Sequence, residues 1–217
     1  DPESRDVFAE GLFIPIMPLC DEGKINPWLM NLLRANSREP DRLEGDIYAL
    51  VASNEAGANR LKRMMEEYRI PDLGALSAHI LEASDKSMRE AIRKLPKGSW
   101  SHAMRIDGFD KPIDLVATLT IEEDMIRIDF AGTSGVSRYG INCPICYTDA
   151  YTSFGVKCLV APRLANNAAV LARISVTAPD NCIVNALFPA PVTARAVIGQ
   201  MLPDVVFGCF DQAMPGE

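Results

Sequence analysis

Histidine is scarce in this sequence: only His79 and His102 occur in a chain of 217 residues. They fall in different predicted elements, and neither has a second histidine at the i, i+4 spacing of a zinc-binding helix. Both are assigned structural roles, and no nucleophile–base–acid set can be assembled from the residues present. Basic residues are in deficit, 22 against 29 acidic ones, for a net charge of -7. A broad nucleic-acid surface needs clustered Lys and Arg to neutralise phosphates, so that class of partner is excluded. No apolar run approaches the roughly 20 residues of a membrane-spanning helix. The opening residues, Asp1-Pro2-Glu3-Ser4-Arg5, carry no signal-peptide pattern and no initiating methionine, as in a processed chain or an excised fragment.

What is present suits a globular protein, with 48% hydrophobic and 24% charged residues. Six cysteines (Cys20, Cys143, Cys146, Cys158, Cys182 and Cys209) could suggest a disulfide framework. A chain this long can build a core without staples, so free thiols in a reducing cytoplasm are expected. Composition changes near Pro96-Lys97-Gly98, dividing a mainly helical region, 1–97, from a strand-rich one, 98–217. Asn26-Pro27 reads as an N-cap and first helical residue, opening a helix to about Ala35. Pro40-Asp41 opens a longer one, with Leu43, Ile47, Leu50, Val51, Ala58, Leu61, Met65 and Tyr68 on one apolar stripe. Gly45 and Gly57 inside it suggest close approach of a second backbone. Ile70-Pro71 breaks the pattern. A third helix follows, with Leu73, Leu76, Ile80, Ala83, Ser87, Ala91 and Leu95 on one face, and the short connection suggests an antiparallel hairpin of the last two.

Beyond Gly98 the period shifts towards two. Strands are predicted over Trp100–Ile106, Ile113–Ile121, Met125–Phe130 and Leu171–Thr177, with helices over Cys143–Val160 and Thr193–Ala213. The fold class is α+β: an N-terminal helical hairpin, then a sheet-containing region. Cys143-Pro144-Ile145-Cys146 is the most conspicuous motif, since a thiol at a helix N-terminus has a lowered pKa. Asn142 would cap that helix. No second CxxC completes a four-thiolate site, and buried helix thiols are the simpler reading. Gly132-Thr133-Ser134-Gly135 lacks the Lys of a P-loop and reads as a turn. Asp129 at a strand end, the paired Asn166-Asn167, and the forked guanidinium of Arg195 are candidates for binding a polar substrate.

Several stretches together resemble the hydantoinase B/oxoprolinase family. Glu10-Gly11-Leu12-Phe13-Ile14-Pro15 is similar to its "EGLRIPP" segment. Gly45-Asp46-Ile47, Ala52, Asn54, Gly57, Arg60, Leu61 and Tyr68 follow its "GDLxAQxAANxxGxxRL" helix. Asp129 to Ser134, then Gly140-Ile141-Asn142, resembles "DFTGTS…GPIN". Asn166-Asn167, Ala178-Pro179, Asn185 and Pro189 to Val192 with Arg195 resemble "NNAG…AP…N…PAPVxAR". The agreements occur in order and span nearly the whole chain.

The resemblance implies part of an ATP-dependent cyclic-amide hydrolase of N-methylhydantoinase or 5-oxoprolinase type, oligomeric and cytoplasmic. It implies a hydantoinase A-type partner that carries ATP and Mg and phosphorylates the substrate. Asp129, Asn142, Asn166, Asn167 and Arg195 become the substrate-binding candidates. The family's His- and Asp-containing segment, where a divalent metal is expected, precedes the "EGLRIPP" element and has no counterpart here, so the chain is expected to be an internal fragment without activity of its own. Ala169 stands where the family has Gly, Ala172-Arg173 where it has Arg-Pro, and Leu50 where it has Gln. These departures keep open a non-catalytic assembly scaffold, and the same family also contains ATP-dependent acetone and acetophenone carboxylases.

Overall fold

The computed structural model describes residues 2–216. The chain forms two compact units: Leu12–Leu76, and a second made of the segment up to Gly11 together with the chain from Ser77 onward.

The Leu12–Leu76 unit opens with a hairpin of two short strands, β1 (Cys20–Asp21) and β2 (Lys24–Ile25). Helix α1 (Pro27–Ala35) starts where expected, because the Asn26 carboxamide oxygen accepts the Trp28 and Leu29 N–H groups at 3.0 and 3.2 Å. That satisfies two of the donors a helix start leaves unpaired. Helix α2 (Pro40–Glu67) packs against α1, and the Arg34 guanidinium ties them by pairing with Asp41 at 2.8 Å and with Glu44. The partner of α2 within its unit is therefore α1. The expected partner, the third helix, belongs mostly to the other unit. Of the predicted α2 stripe only Ile47 is buried, while Leu50, Leu61 and Tyr68 are exposed. A Cβ added at Gly45 or Gly57 would meet nothing within 4 Å, so no second backbone approaches there.

The second unit takes in nearly all of α3 (Gly74–Arg93), which places the change of composition at residue 97 inside a unit. Its buried face is Ser84, Met88 and Ile92, rotated from the predicted one, and Ile80 is half exposed. Four strands follow, β3 (Gly98–Ile106), β4 (Ile113–Ile121), β5 (Ile126–Asp129) and β6 (Ile174–Thr177), ordered β3-β4-β5-β6. The first two junctions are antiparallel and β5 runs parallel to β6, which requires a crossover. Helix α4 (Ile145–Val160) lies in that crossover and packs on β6.

Alternation makes the sheet two-faced. Ile113, Leu115, Ala117, Leu119 and Ile121 of β4 are buried, with Trp100, His102, Met104 and Ile106 of β3 opposite four of them. The other face pairs Ser99 with Thr120, Ser101 with Thr118, and Arg105 bidentately with Asp114 at 2.6 and 2.8 Å. The helices thus pack on the apolar face, and the antiparallel β3–β4 pair leaves its polar face open, as antiparallel pairing permits. The single helix predicted over 193–213 is two pieces, α6 (Ala196–Gly199) and α7 (Leu202–Ala213), after a short α5 (Ala168–Leu171). Pro203 sits in the first turn of α7, where a missing N–H costs nothing, so the helix restarts around it.

Helix α7 lies against β3, β4 and α4. A Cβ on Gly208 would come within 2.3 Å of the His102 ring, which gives this histidine a packing role. The Cys209 thiol donates to the Ala117 carbonyl. An ion-pair chain runs along the rim: Arg173 to Asp85 at 2.5 Å, Asp85 to Arg89 at 2.8 Å, Arg89 to Asp124 at 2.8 Å, and Asp124 to Arg93 at 2.8 Å.

Candidate functional site

Three of the stretches singled out in the sequence, at Glu10, Gly140–Asn142 and Pro189–Arg195, meet in loops. Asn142 is at their centre and fully buried. Its side-chain oxygen accepts the Ser137 N–H at 2.7 Å, and its amide nitrogen lies 2.9 Å from each of the carbonyls of Ser137, Tyr139 and Pro191. It does not cap α4, whose N-cap position is Pro144. Glu10 acts from the far end of the chain. One carboxylate oxygen accepts the Val192 and Thr193 N–H groups at 2.6 and 2.7 Å, while Val7 N–H donates to the Pro189 carbonyl at 3.1 Å. Arg195 donates from one terminal nitrogen to the Val192 carbonyl at 3.1 Å and lies 5.3 Å from the Tyr147 ring centroid. Ala194 N–H completes the junction by donating to the Gly140 carbonyl at 2.7 Å.

The remaining candidates lie apart from that cluster. Asp129 accepts the Ala131 N–H at 3.1 Å and the Thr177 hydroxyl at 3.3 Å, which shapes the turn after β5. Thr133 and Ser134 continue that turn along β4, where their hydroxyls accept the Val116 and Asp114 N–H groups, so the segment is a turn as expected. Asn167 caps α5 through the Ala169 and Val170 N–H groups, both at 3.1 Å, and donates to the Ser84 hydroxyl at 2.8 Å. Asn166 accepts a hydrogen bond from Lys157 at 2.7 Å.

The cysteine motif is not a reactive pair. Cys143 is buried and donates to the Arg195 carbonyl at 3.3 Å, and burial pushes its pKa up to about 12. Cys146 is exposed, and all six cysteines are free thiols. Among the described residues, no three His, Cys, Asp or Glu side chains converge where they could hold a metal ion. None of the described helices is long and apolar enough to cross a membrane.

One feature gave no sequence signal beyond a lone charge in an apolar helix. Lys157 lies on a cleft of about 500 Å³ between α4 and the segment around α5, with Asp149, Ser153, Phe154, Pro162 and Leu171 in its wall.

Fold and site together define an α+β segment whose polar groups mostly brace loops. Over its full span, residues 1–217, the chain matches the model of the Hydantoinase B/oxoprolinase family and belongs to that family. It is 28% identical over 229 residues to the B-type subunit of a putative D-/L-hydantoinase from Pseudomonas sp. (strain NS671), covering 99% of this chain and 39% of that protein. The crystal structure of the ATP-dependent caprolactamase from Pseudomonas jessenii matches with a TM-score of 0.90 at 24% identity, covering 99% of this chain and 38% of that one. A nucleotide-free acetone carboxylase structure matches with a TM-score of 0.76 at 12% identity, over 94% of this chain and 30% of that one. The chain thus spans 39% and 38% of the first two relatives' lengths.

Proposed function

We propose that this chain is a segment of the B-type subunit of an ATP-dependent cyclic-amide hydrolase, acting with an A-type ATPase subunit in the cytoplasm. The observation that carries this reading is the family match across the whole of residues 1–217. Resonance makes a ring amide a poor electrophile. Phosphorylating its oxygen supplies a leaving group, and water adds where charge-stabilising donors are already in place. ATP and Mg belong to the partner, and a divalent metal to family segments ahead of Glu10. The residues here contribute walls and donors.

Asn142 and Asn167 serve that reaction by holding loops, since their hydrogen bonds go to this chain itself. Arg195 is the better candidate for touching substrate. Among the described residues it has no carboxylate partner, and its guanidinium has donors beyond the one bonded to Val192. Asp129 and Asn166 are assigned supporting positions.

The test is ADP release by the complete subunit with its A-type partner and ATP. A hydantoin or 5-oxoproline is expected to stimulate it, and Arg195→Ala to lower turnover about ten-fold or more with the fold preserved. Bicarbonate-dependent turnover with a ketone would instead identify a carboxylase. A stable complex with no stimulated turnover would identify a scaffold. Turnover by the isolated 217-residue chain would overturn the assignment of a supporting role.

A further inference from the structure

Lys157 is 8% exposed, in the last turn of a helix whose neighbouring positions Ser153, Gly155 and Val156 are also buried. Its ammonium donates to the Leu164 carbonyl and, at 2.7 Å, to the Asn166 side-chain oxygen. Both acceptors are neutral, so they solvate the charge without balancing it. Among the described residues Lys157 forms no ion pair. Burial lowers its pKa, as expected for a cation without a counter-charge. An ammonium has three donors, and two are accounted for.

The surroundings narrow what could complete the set. The cleft of about 500 Å³ beside Lys157 has the dimensions of a small-molecule site. Its apolar wall includes Phe154, Pro162, Leu164 and Leu171, which suits an aliphatic body. Asp149, Ser153 and Lys157 succeed one another at four-residue intervals on α4, so they share a face. The Cα atoms of the outer two are separated by about 12 Å along the axis. Asp149 is exposed and accepts the Ser153 hydroxyl at 3.1 Å, leaving its carboxylate able to take another donor. An anion alone would meet repulsion there, whereas a dipolar molecule would not.

We propose that this cleft binds a small aliphatic carboxylate bearing an N–H donor at its far end, the carboxylate on Lys157 and the donor directed to Asp149. The inference does not depend on the ring-opening reaction proposed above. It concerns binding alone and is measured without ATP or a partner.

Calorimetric titration of the full-length protein with 5-aminopentanoate tests it, with pentanoate and pentylamine as single-ended controls. The dipolar probe is expected to bind more tightly than either control. Lys157→Met is expected to weaken it about ten-fold or more, and Lys157→Arg to retain most of the affinity. Because Lys157 also holds the Leu164–Asn166 segment, Leu171→Trp gives a second variant that fills the cleft without touching the ammonium. Loss of binding in that variant, with an unchanged melting temperature, supports the site. Absence of binding by the unmodified protein, or unchanged affinity in folded Lys157→Met or Leu171→Trp, overturns it.

Discussion

Asn142 is bound to main-chain groups from two loops, and its substitution therefore tests how the Pro191 segment is held. Asn142→Ala leaves the Ser137 N–H and the Ser137 and Pro191 carbonyls without their partner, while the Tyr139 carbonyl keeps the Ile141 N–H, so a loss of about 2–4 kcal/mol is expected in urea unfolding. Asn142→Asp does not rescue it, because a carboxylate has no donor for the three carbonyls. Glu10→Ala is expected to speed amide exchange at Val192 and Thr193, which lose their acceptor, while exchange in β4 stays slow. These residues were legible as letters of a family pattern, but their work was not. Their partners are main-chain groups as many as 183 positions away, and residue type at one position carries no record of them. Lys157 escaped notice for a related reason. A lysine in a helix ordinarily reads as solvated, and here it is buried, bonded to the segment that follows the helix.

At the level of elements, strict alternation made β4 readable to the residue, because one buried face and one partly exposed face force a period of two. Helix faces were less legible. The buried α3 face contains Ser84, which accepts a hydrogen bond from Asn167, a contact no periodicity encodes. Helix α7 offers a direct check of its packing. Alanine ordinarily stabilises a helix interior relative to glycine by about 1 kcal/mol. Gly208→Ala should reverse that sign, since its Cβ would come within 2.3 Å of the His102 ring. Combining it with His102→Ala should cost less than the sum of the two, which a double-mutant cycle reads directly. Helix α4 contains the opposite opportunity. The buried Thr152 hydroxyl has no hydrogen-bond partner among the described residues, so Thr152→Val is expected to raise stability by about 1 kcal/mol in the same unfolding assay.

For the molecule as a whole, the rim of ion pairs joins α3, the β4–β5 turn and the start of β6, and it makes stability depend on pH. Burial alone would raise the Asp85 pKa, but hydrogen bonds from Arg173 and Arg89 outweigh it and hold the carboxyl below its usual range. The hydrogen bond from Arg93 leads the same effect at Asp124. A lowered carboxyl pKa contributes stability above the ordinary value, near pH 4, and loses it as pH falls through the folded value. Arg173→Ala should therefore lower the melting temperature at pH 7 more than at pH 3, measured by circular dichroism. An equal loss at both would show that Arg173 matters through packing alone.

The segment before Gly11 belongs to the same compact unit as the chain from Ser77 onward, with Glu10 bonded to Val192 and Thr193. During synthesis, then, Glu10 leaves the ribosome well before the loop it holds, which lies as many as 183 positions further along the chain. Until Val192 and Thr193 emerge, the Glu10 carboxylate lacks the two N–H groups it holds, and a stall in translation before that point would leave the segment around it undocked.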